Sequence, residues 1–220
     1  MSAYGPLLRT KKGDKTFRFC ADGSYGFFLS DLLDRQNRPF SFVDVGANIG
    51  IYSLIAAQNP QCQHCYAFEP NKDVFEYLKS NIALNRLDSK IKANNLAISD
   101  KPGQLRFHVV PEHSGGGAIS CDGEVAIEAN DRSVFNNIAA IDASPQIVKI
   151  DVEGHEPVVI DQLMRSDLWR NVDTLFFEAS EDRFEVNPVK NRLVEAGFRL
   201  VAKDAGLEFG VFDLLFFRDQ

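Results

Sequence analysis

The run Phe42-Val-Asp-Val-Gly-Ala-Asn-Ile-Gly-Ile-Tyr52 constrains this chain more than any other stretch. Phe40 to Val45 reads as a short buried strand, Gly46 and Gly50 supply turn conformations and room for close approach, and Ile51 to Ala57 opens a helix. Asp44 stands where the strand ends. Strand, tight glycine turn and helix in that order bring backbone close to a ligand of nucleotide type at the edge of a parallel sheet.

Any parallel α/β protein needs glycine between strand and helix, so the turn alone says little. Glu69 adds weight. It ends the next apolar segment, Cys62 to Phe68, at the distance where a second strand's carboxylate can accept hydrogen bonds from both ribose hydroxyls. The turn itself reads Asp44-x-Gly46-x-Asn48-x-Gly50, whereas a dinucleotide site wants Gly-x-Gly-x-x-Gly with N–H groups on a pyrophosphate. An aspartate beside the ligand repels phosphates and suits an ammonium. S-adenosylmethionine (SAM), with a cationic amino-acid end, a sulfonium and free ribose hydroxyls, therefore fits better than NAD. An NAD(P)-dependent oxidoreductase and a SAM-binding module without catalysis are the alternatives.

At 220 residues and 45% hydrophobic content the chain can bury one sizeable core, so residues 1–220 are expected to form one domain. A net charge of −7 argues against a nucleic-acid partner and favours a small, neutral or weakly charged one. Residues 1–18 lack the apolar centre of a secretory signal, and no span approaches transmembrane length. Four cysteines make no disulfide framework; a cytoplasmic address without a membrane partner is expected. Cys62-x-x-Cys65 reads as ordinary strand cysteines pointing to opposite faces, not as a metal or redox motif.

The rest of the chain alternates strands and helices. Residues 1–40 read as an N-terminal cap with an edge strand at Thr16 to Cys20 and a short helix from Gly26 to Gln36, its Phe27, Phe28, Leu32 and Leu33 facing inward. Asn71 to Asn85 reads as a helix, with Val74, Phe75, Leu78, Ile82 and Ala83 facing inward, and Ile91 to Ile98 and Leu105 to Val110 as strands. Residues 111–142 read as a flexible insertion opened by Ser114-Gly-Gly-Gly117, a plain loop in the first instance, with a mobile cover over a site as the functional alternative. Ile147–Ile150 and Val172–Phe177 are strands, Val158–Met164 and Pro188–Ala196 helices. Phe198–Ala202 and Val211–Phe217 form an antiparallel pair joined through Asp204-Ala-Gly206. Repeated strand–helix units predict an α/β fold, a mostly parallel sheet with helices on both faces and its site at the carboxyl ends of the strands.

That rule singles out Lys149-Ile-Asp-Val-Glu-Gly-His-Glu156, which delivers Asp151, Glu153, His155 and Glu156 to one strand end, with Glu178 ending the next. His155 is the general-base candidate by its intrinsic pKa, with Glu153 or Asp151 orienting it or acting in its place. Acceptor contacts are expected from Phe107, His108, His113 and Ser114 to Ser120.

FVDVGANIGIYSL, YAFEPN, NLAISD, IVKIDVEGHEPVVI and LFFEAS, in this order between Ser41 and Ser180, resemble the FkbM family of SAM-dependent methyltransferases. The resemblance implies a Rossmann-like class I methyltransferase fold, with a seven-stranded sheet and an antiparallel C-terminal strand. It also implies methyl transfer to a hydroxyl of a sugar, glycan or polyketide-like acceptor. Asp44 would then orient the methionine amino group, partly through water; Gly46, Asn48 and Gly50 would line the methionine part, and Glu69 would hold the ribose. Pro70, Leu96 and Ala97 would flank the adenine, with Leu96 or Asn95 standing where many class I enzymes carry an Asp. Catechol-type enzymes hold Mg²⁺ at positions comparable to Asp151 and Glu178, but here Ala179 and Gly154 replace that pattern's Asn and Lys. Oxygen ligands are available, yet no metal is predicted.

Overall fold

Two sheets organise the chain in the computed structural model, which describes residues 1–25, 27–205 and 210–219. The strands of the larger one are β1 (Phe40–Val45), β2 (Cys62–Phe68), β3 (Ile91–Asn94), β8 (Gln146–Ile150), β9 (Val172–Ser180), β10 (Phe198–Ala205) and β11 (Val211–Arg218). Among the described residues this sheet has seven strands in the order β10-β11-β9-β8-β1-β2-β3. The β1–β2, β2–β3, β1–β8 and β8–β9 pairs are parallel, and β11 runs antiparallel to both β9 and β10. The sheet is thus the mostly parallel one expected, closed by the antiparallel C-terminal pair; Gly206 lies outside the described residues.

Both faces are covered, as strands buried on two sides require. On one face Val43, Val45, Val148, Ile150 and Phe177 pack with residues of α5 (Ser133–Ala139), α6 (Glu156–Met164) and α7 (Val186–Glu195). On the other, Phe40, Phe42, Ala67, Ile147 and Phe176 pack with α2 (Phe28–Asp34), α3 (Ile51–Gln58) and α4 (Lys72–Leu84). No helix among the described residues is long and apolar enough to cross a membrane.

The expected edge strand at Thr16 to Cys20 is instead part of helix α1 (Lys15–Asp22). Asp14 caps it by accepting the Phe17 N–H, and Gly23 ends it in the left-handed conformation, so local capping overrides the Phe17/Phe19 alternation. In the next helix Leu29 and Leu33 are buried, but Phe27 precedes it and is 53% exposed. Along α4, Val74, Leu78 and Ile82 are buried as expected, whereas Ala83 is exposed.

The expected strand Ile91 to Ile98 is broken. Its first half is β3; Ala97–Ile98 is β4, which pairs with β7 (Val125–Asn130). Together with β5 (Gly103–His108) and β6 (Ala118–Ile119) they form a second sheet, ordered β4-β7-β5-β6. Residues 111–142 are therefore built into the fold. Ile127 and Ala129 pack on Ala97 and Phe107, and Phe135 of α5 is fully buried in the main core. Cys62 and Cys65 are both buried on one face because the β1–β2 register shifts between Phe40 and Phe42, which undoes the strict alternation.

Candidate functional site

A cavity of about 700 Å³ opens at the carboxyl ends of β1, β2, β8 and β9. Gly46, Asn48, Glu69, Pro70, Leu96 and Ala97 line it, as do Asp151, Glu153 and His155. Asp44 and Gly50 are not on its wall.

The turn after β1 threads between two strands. The N–H groups of Gly46 and Ala47 both donate to the Phe68 carbonyl, and a Cβ on Gly46 (φ +81°) would sit 1.8 Å from the Asp151 carbonyl oxygen. Glycine is required here by the neighbouring strand end. Gly50 (φ +92°) opens α3, where a Cβ would strike Leu78. Asn48, at φ +50°, donates its N–H to Glu69 Oε2 at 2.9 Å, and its Oδ1 lies 3.1 Å from the Ser114 hydroxyl.

Glu69 is buried, and its second oxygen accepts the Asn71 N–H at 2.8 Å. Burial pushes its carboxyl up to about 7, against the lowering effect of those two N–H donors. Asn95 donates to the carbonyls of Glu69 (2.8 Å) and Pro70 (2.9 Å), so its amide braces the β2 loop while Leu96 faces the cavity.

Behind the wall lies a buried ion cluster. Parallel pairing of β1 with β8 sets Asp44 beside Lys149. The Lys149 ammonium stands 3.3 Å from Asp44 Oδ1 and 3.3 Å from Asp151 Oδ2, and donates to the Gly46 carbonyl at 2.9 Å. Ser53 donates to the other Asp44 oxygen at 2.6 Å. Among the described residues Oδ1 accepts no well-aligned hydrogen bond, and the Lys149 ammonium is the charge beside it. Burial would lower the Lys149 pKa, but Asp151 and Asp44 outweigh it and hold the amine above its ordinary value.

At the far end of the cavity the carboxylates of Asp151, Glu153 and Glu178 lie within 4.8 Å of one another, close enough to hold a cation. Arg183 already supplies one: it pairs with Glu153 and reaches Glu178 at 3.5 Å. Asp213 sits directly opposite Glu178 in the β9–β11 ladder, where two ionised carboxylates would repel and a protonated one relieves the repulsion. Burial, reinforced by neighbouring carboxylates, pushes Glu153 and Asp213 up to about 7 and Glu178 to about 9.

His155 is directed elsewhere. Its Nε2 lies 3.1 Å from the Ser99 hydroxyl, and burial lowers its pKa. Glu153 pairs with Arg183 and Asp151 with Lys149, so neither expected carboxylate orients the imidazole. Glu156 holds the turn itself, accepting the N–H groups of Val152 (2.8 Å) and Gly154 (2.9 Å).

The glycine-rich segment roofs the cavity but is tied down. Asp14 accepts both the N–H and the hydroxyl of Ser114 at 3.0 Å, and Thr16 accepts the Gly115 N–H at 2.8 Å. Phe107, His113, Ser114 to Gly117 and Ile119 line the cavity, whereas Ala118 and Ser120 of the expected segment do not. His108 does not; it is 54% exposed and pairs with Glu124.

Sequence reasoning missed Lys149, Arg183, Asp213 and Tyr25 as cavity residues. Lys149 had a signal, a charge inside a five-residue strand that is otherwise apolar or amide; the other three had none, because only the fold brings them there.

The Methyltransferase FkbM domain family model matches residues 44–200. The chain is 30% identical over 130 residues to hexuronic acid methyltransferase AglP of Haloferax volcanii, covering 59% of this chain and 52% of that protein. It is 33% identical over 89 residues to methyltransferase sdnD of Sordaria araneosa, covering 40% and 34%. The chain thus spans about half or less of the length of these curated relatives. Among solved structures, methyltransferase FkbM from Methylobacillus flagellatus shares the fold at a TM-score of 0.59 and 17% identity, over 91% of this chain and 52% of that one. The family match spans well over half of the sequence, and the chain belongs to the FkbM family of class I methyltransferases, whose cofactor is SAM.

Proposed function

We propose that the chain transfers a methyl group from SAM to a hydroxyl of a small molecule or glycan, with a sugar, glycan or polyketide-like product as acceptor class. One observation carries the reading: a single cavity joins the Glu69 loop to the clustered carboxylates of Asp151, Glu153 and Glu178. AglP, by its name a hexuronic acid methyltransferase, supports the sugar class.

The residues fit SAM. Glu69 has two oxygens fixed by backbone donors and takes the ribose hydroxyls; Pro70, Leu96 and Ala97 give the adenine an apolar wall. Gly46 and Asn48 border the methionine part, Gly50 sets the start of α3 behind them, and Asp44 serves the amino end from behind the wall. When bound, SAM supplies an electrophilic methyl on a positively charged sulfur.

The chain's own task is to align the acceptor oxygen and remove its proton. Glu153, held near neutrality by burial and positioned by Arg183, is our proton acceptor, with Asp151 beside it. His155, bonded to Ser99, is the weaker choice. The net charge of −7 and the acidic far end disfavour a nucleic-acid acceptor.

Titration calorimetry with SAM and S-adenosylhomocysteine, followed by transfer of labelled methyl to glycosides and to RNA, tests the reading. Transfer to a glycoside oxygen supports it; transfer to RNA alone replaces the acceptor class.

A further inference from the structure

The Lys149 ammonium touches three acceptors contributed by two adjacent strands: the Gly46 carbonyl, Asp44 and Asp151. Two of its three partners matter to the cavity directly, since Gly46 and Asp151 line it, while Asp44 is fully buried and does not. An aspartate in that position cannot reach a ligand except through what stands in front of it. Lys149 stands there, itself on the cavity wall and only 3% exposed.

We infer that Lys149 is a positioning residue through which Asp44 acts: it fixes the Gly46 carbonyl and the Asp151 carboxylate as the two acceptors for the ammonium at the amino-acid end of the cofactor. This rests on the reading that this end of the cavity takes the methionine part of SAM. The geometry gives each partner a distinct part. Ser53 and Lys149 hold Asp44 from two sides, so Asp44 anchors the lysine. The lysine's contacts with Gly46 and Asp151 then set the spacing between a carbonyl and a carboxylate that belong to different strand ends. Lys149 also lies 5.8 Å over the Tyr52 ring, which limits where its head group can go.

The test compares two ligands in each variant. S-Adenosylhomocysteine carries the amino-acid end; 5′-methylthioadenosine has the same nucleoside and sulfur but lacks it. The wild type is expected to bind the former more tightly, and equal binding would sink the reading of this end of the cavity itself. Given that preference, K149Q is expected to weaken S-adenosylhomocysteine by about tenfold or more while 5′-methylthioadenosine stays within about twofold. Unchanged 5′-methylthioadenosine binding also certifies a folded site. Equal loss for both ligands, or no loss for either, overturns the role of Lys149. In the K149Q background, D44N is expected to add nothing to the S-adenosylhomocysteine loss; a further independent loss would mean that Asp44 reaches the cofactor without the lysine. Should K149Q fail to fold, D44N and D44N/K149Q serve instead, because removing both halves of a buried pair is tolerated better than removing one, and in D44N the lysine keeps its contacts with Gly46 and Asp151. Adding K149Q to D44N is then expected to cost S-adenosylhomocysteine alone, and the absence of that cost overturns the inference.

Discussion

Glu69 and Asn48 are joined across two strand ends by a 2.9 Å hydrogen bond from the Asn48 N–H to the Glu69 carboxylate. The bond ties the turn after β1 to the proposed ribose acceptor. Because burial holds the free Glu69 carboxyl up to about 7, the group is mostly protonated at pH 6 and mostly ionised at pH 8. Ribose hydroxyls donate best to the ionised form. SAM affinity is therefore expected to fall below pH 7, approaching about tenfold per unit of pH, and to level off near pH 8. E69Q should bind weakly at every pH, and a flat profile in the unmodified protein would refute the ribose role.

Gly46 makes a sharper test of architecture than of binding. With φ at +81° and the Asp151 carbonyl 1.8 Å from any added Cβ, G46A must displace β1 or β8. Chemical denaturation is expected to show a loss of at least ~3 kcal/mol. G50A should lose less, since its obstruction is the flexible end of Leu78. The reverse ranking would contradict the packing of the turn.

The roles of Glu153 and His155 separate kinetically. E153Q is expected to lower kcat by roughly a hundredfold with a smaller change in SAM affinity, and H155A by less than about tenfold. Because Arg183 already pairs with Glu153, chelation with EDTA is expected to leave turnover unchanged. A larger loss in H155A would return the base to the histidine, and Mg²⁺-restored activity after chelation would put a metal beside Asp151 and Glu178.

Stability should respond to pH in an unusual sense. Glu69, Glu153, Glu156 and Asp213 are each raised to about 7, so between their unfolded values near 4 and about pH 7 the folded chain keeps protons that the unfolded chain has released. Their stabilising contribution is complete below the unfolded values and is lost as pH rises through about 7, with Glu178 extending the loss to about 9. Asp14 and Asp142, whose values are lowered, act only on the acid side of this window. The melting temperature of the ligand-free protein is therefore expected to be higher at pH 6 than at pH 9. An increase with pH across that range would show that these carboxylates are better solvated than the fold implies.

The main sheet was legible in the sequence because its strands are short, largely apolar runs, and buried parallel strands have little choice of composition. Of the second sheet only β5 was legible, overlapping the expected strand Leu105 to Val110. Ala97–Ile98 and Ala118–Ile119 are two-residue strands, too short for alternation to register, and the glycines at 115–117 read as a loop although Asp14 and Thr16 pin them from nearly one hundred residues away. The Asp44 and Glu69 loops were read from spacing within single segments. Arg183 and Asp213 reach the acidic end only through the β9–β11 pairing and the turn after β9, which no local pattern encodes. His155 looked like a base by chemistry alone; its bond to Ser99 depends on where β4 leads into the second sheet.

The most direct measurement is mass spectrometry of acceptors after incubation with SAM carrying a deuterated methyl group, using a panel of neutral glycosides, uronic acids and transfer RNA. The expected result is one labelled methyl on a sugar hydroxyl oxygen, lost in E153Q and reduced in E69Q. Label on a nitrogen or carbon, label on RNA only, or saturable SAM binding with no transfer to any hydroxyl acceptor would contradict hydroxyl methylation as the function of this site.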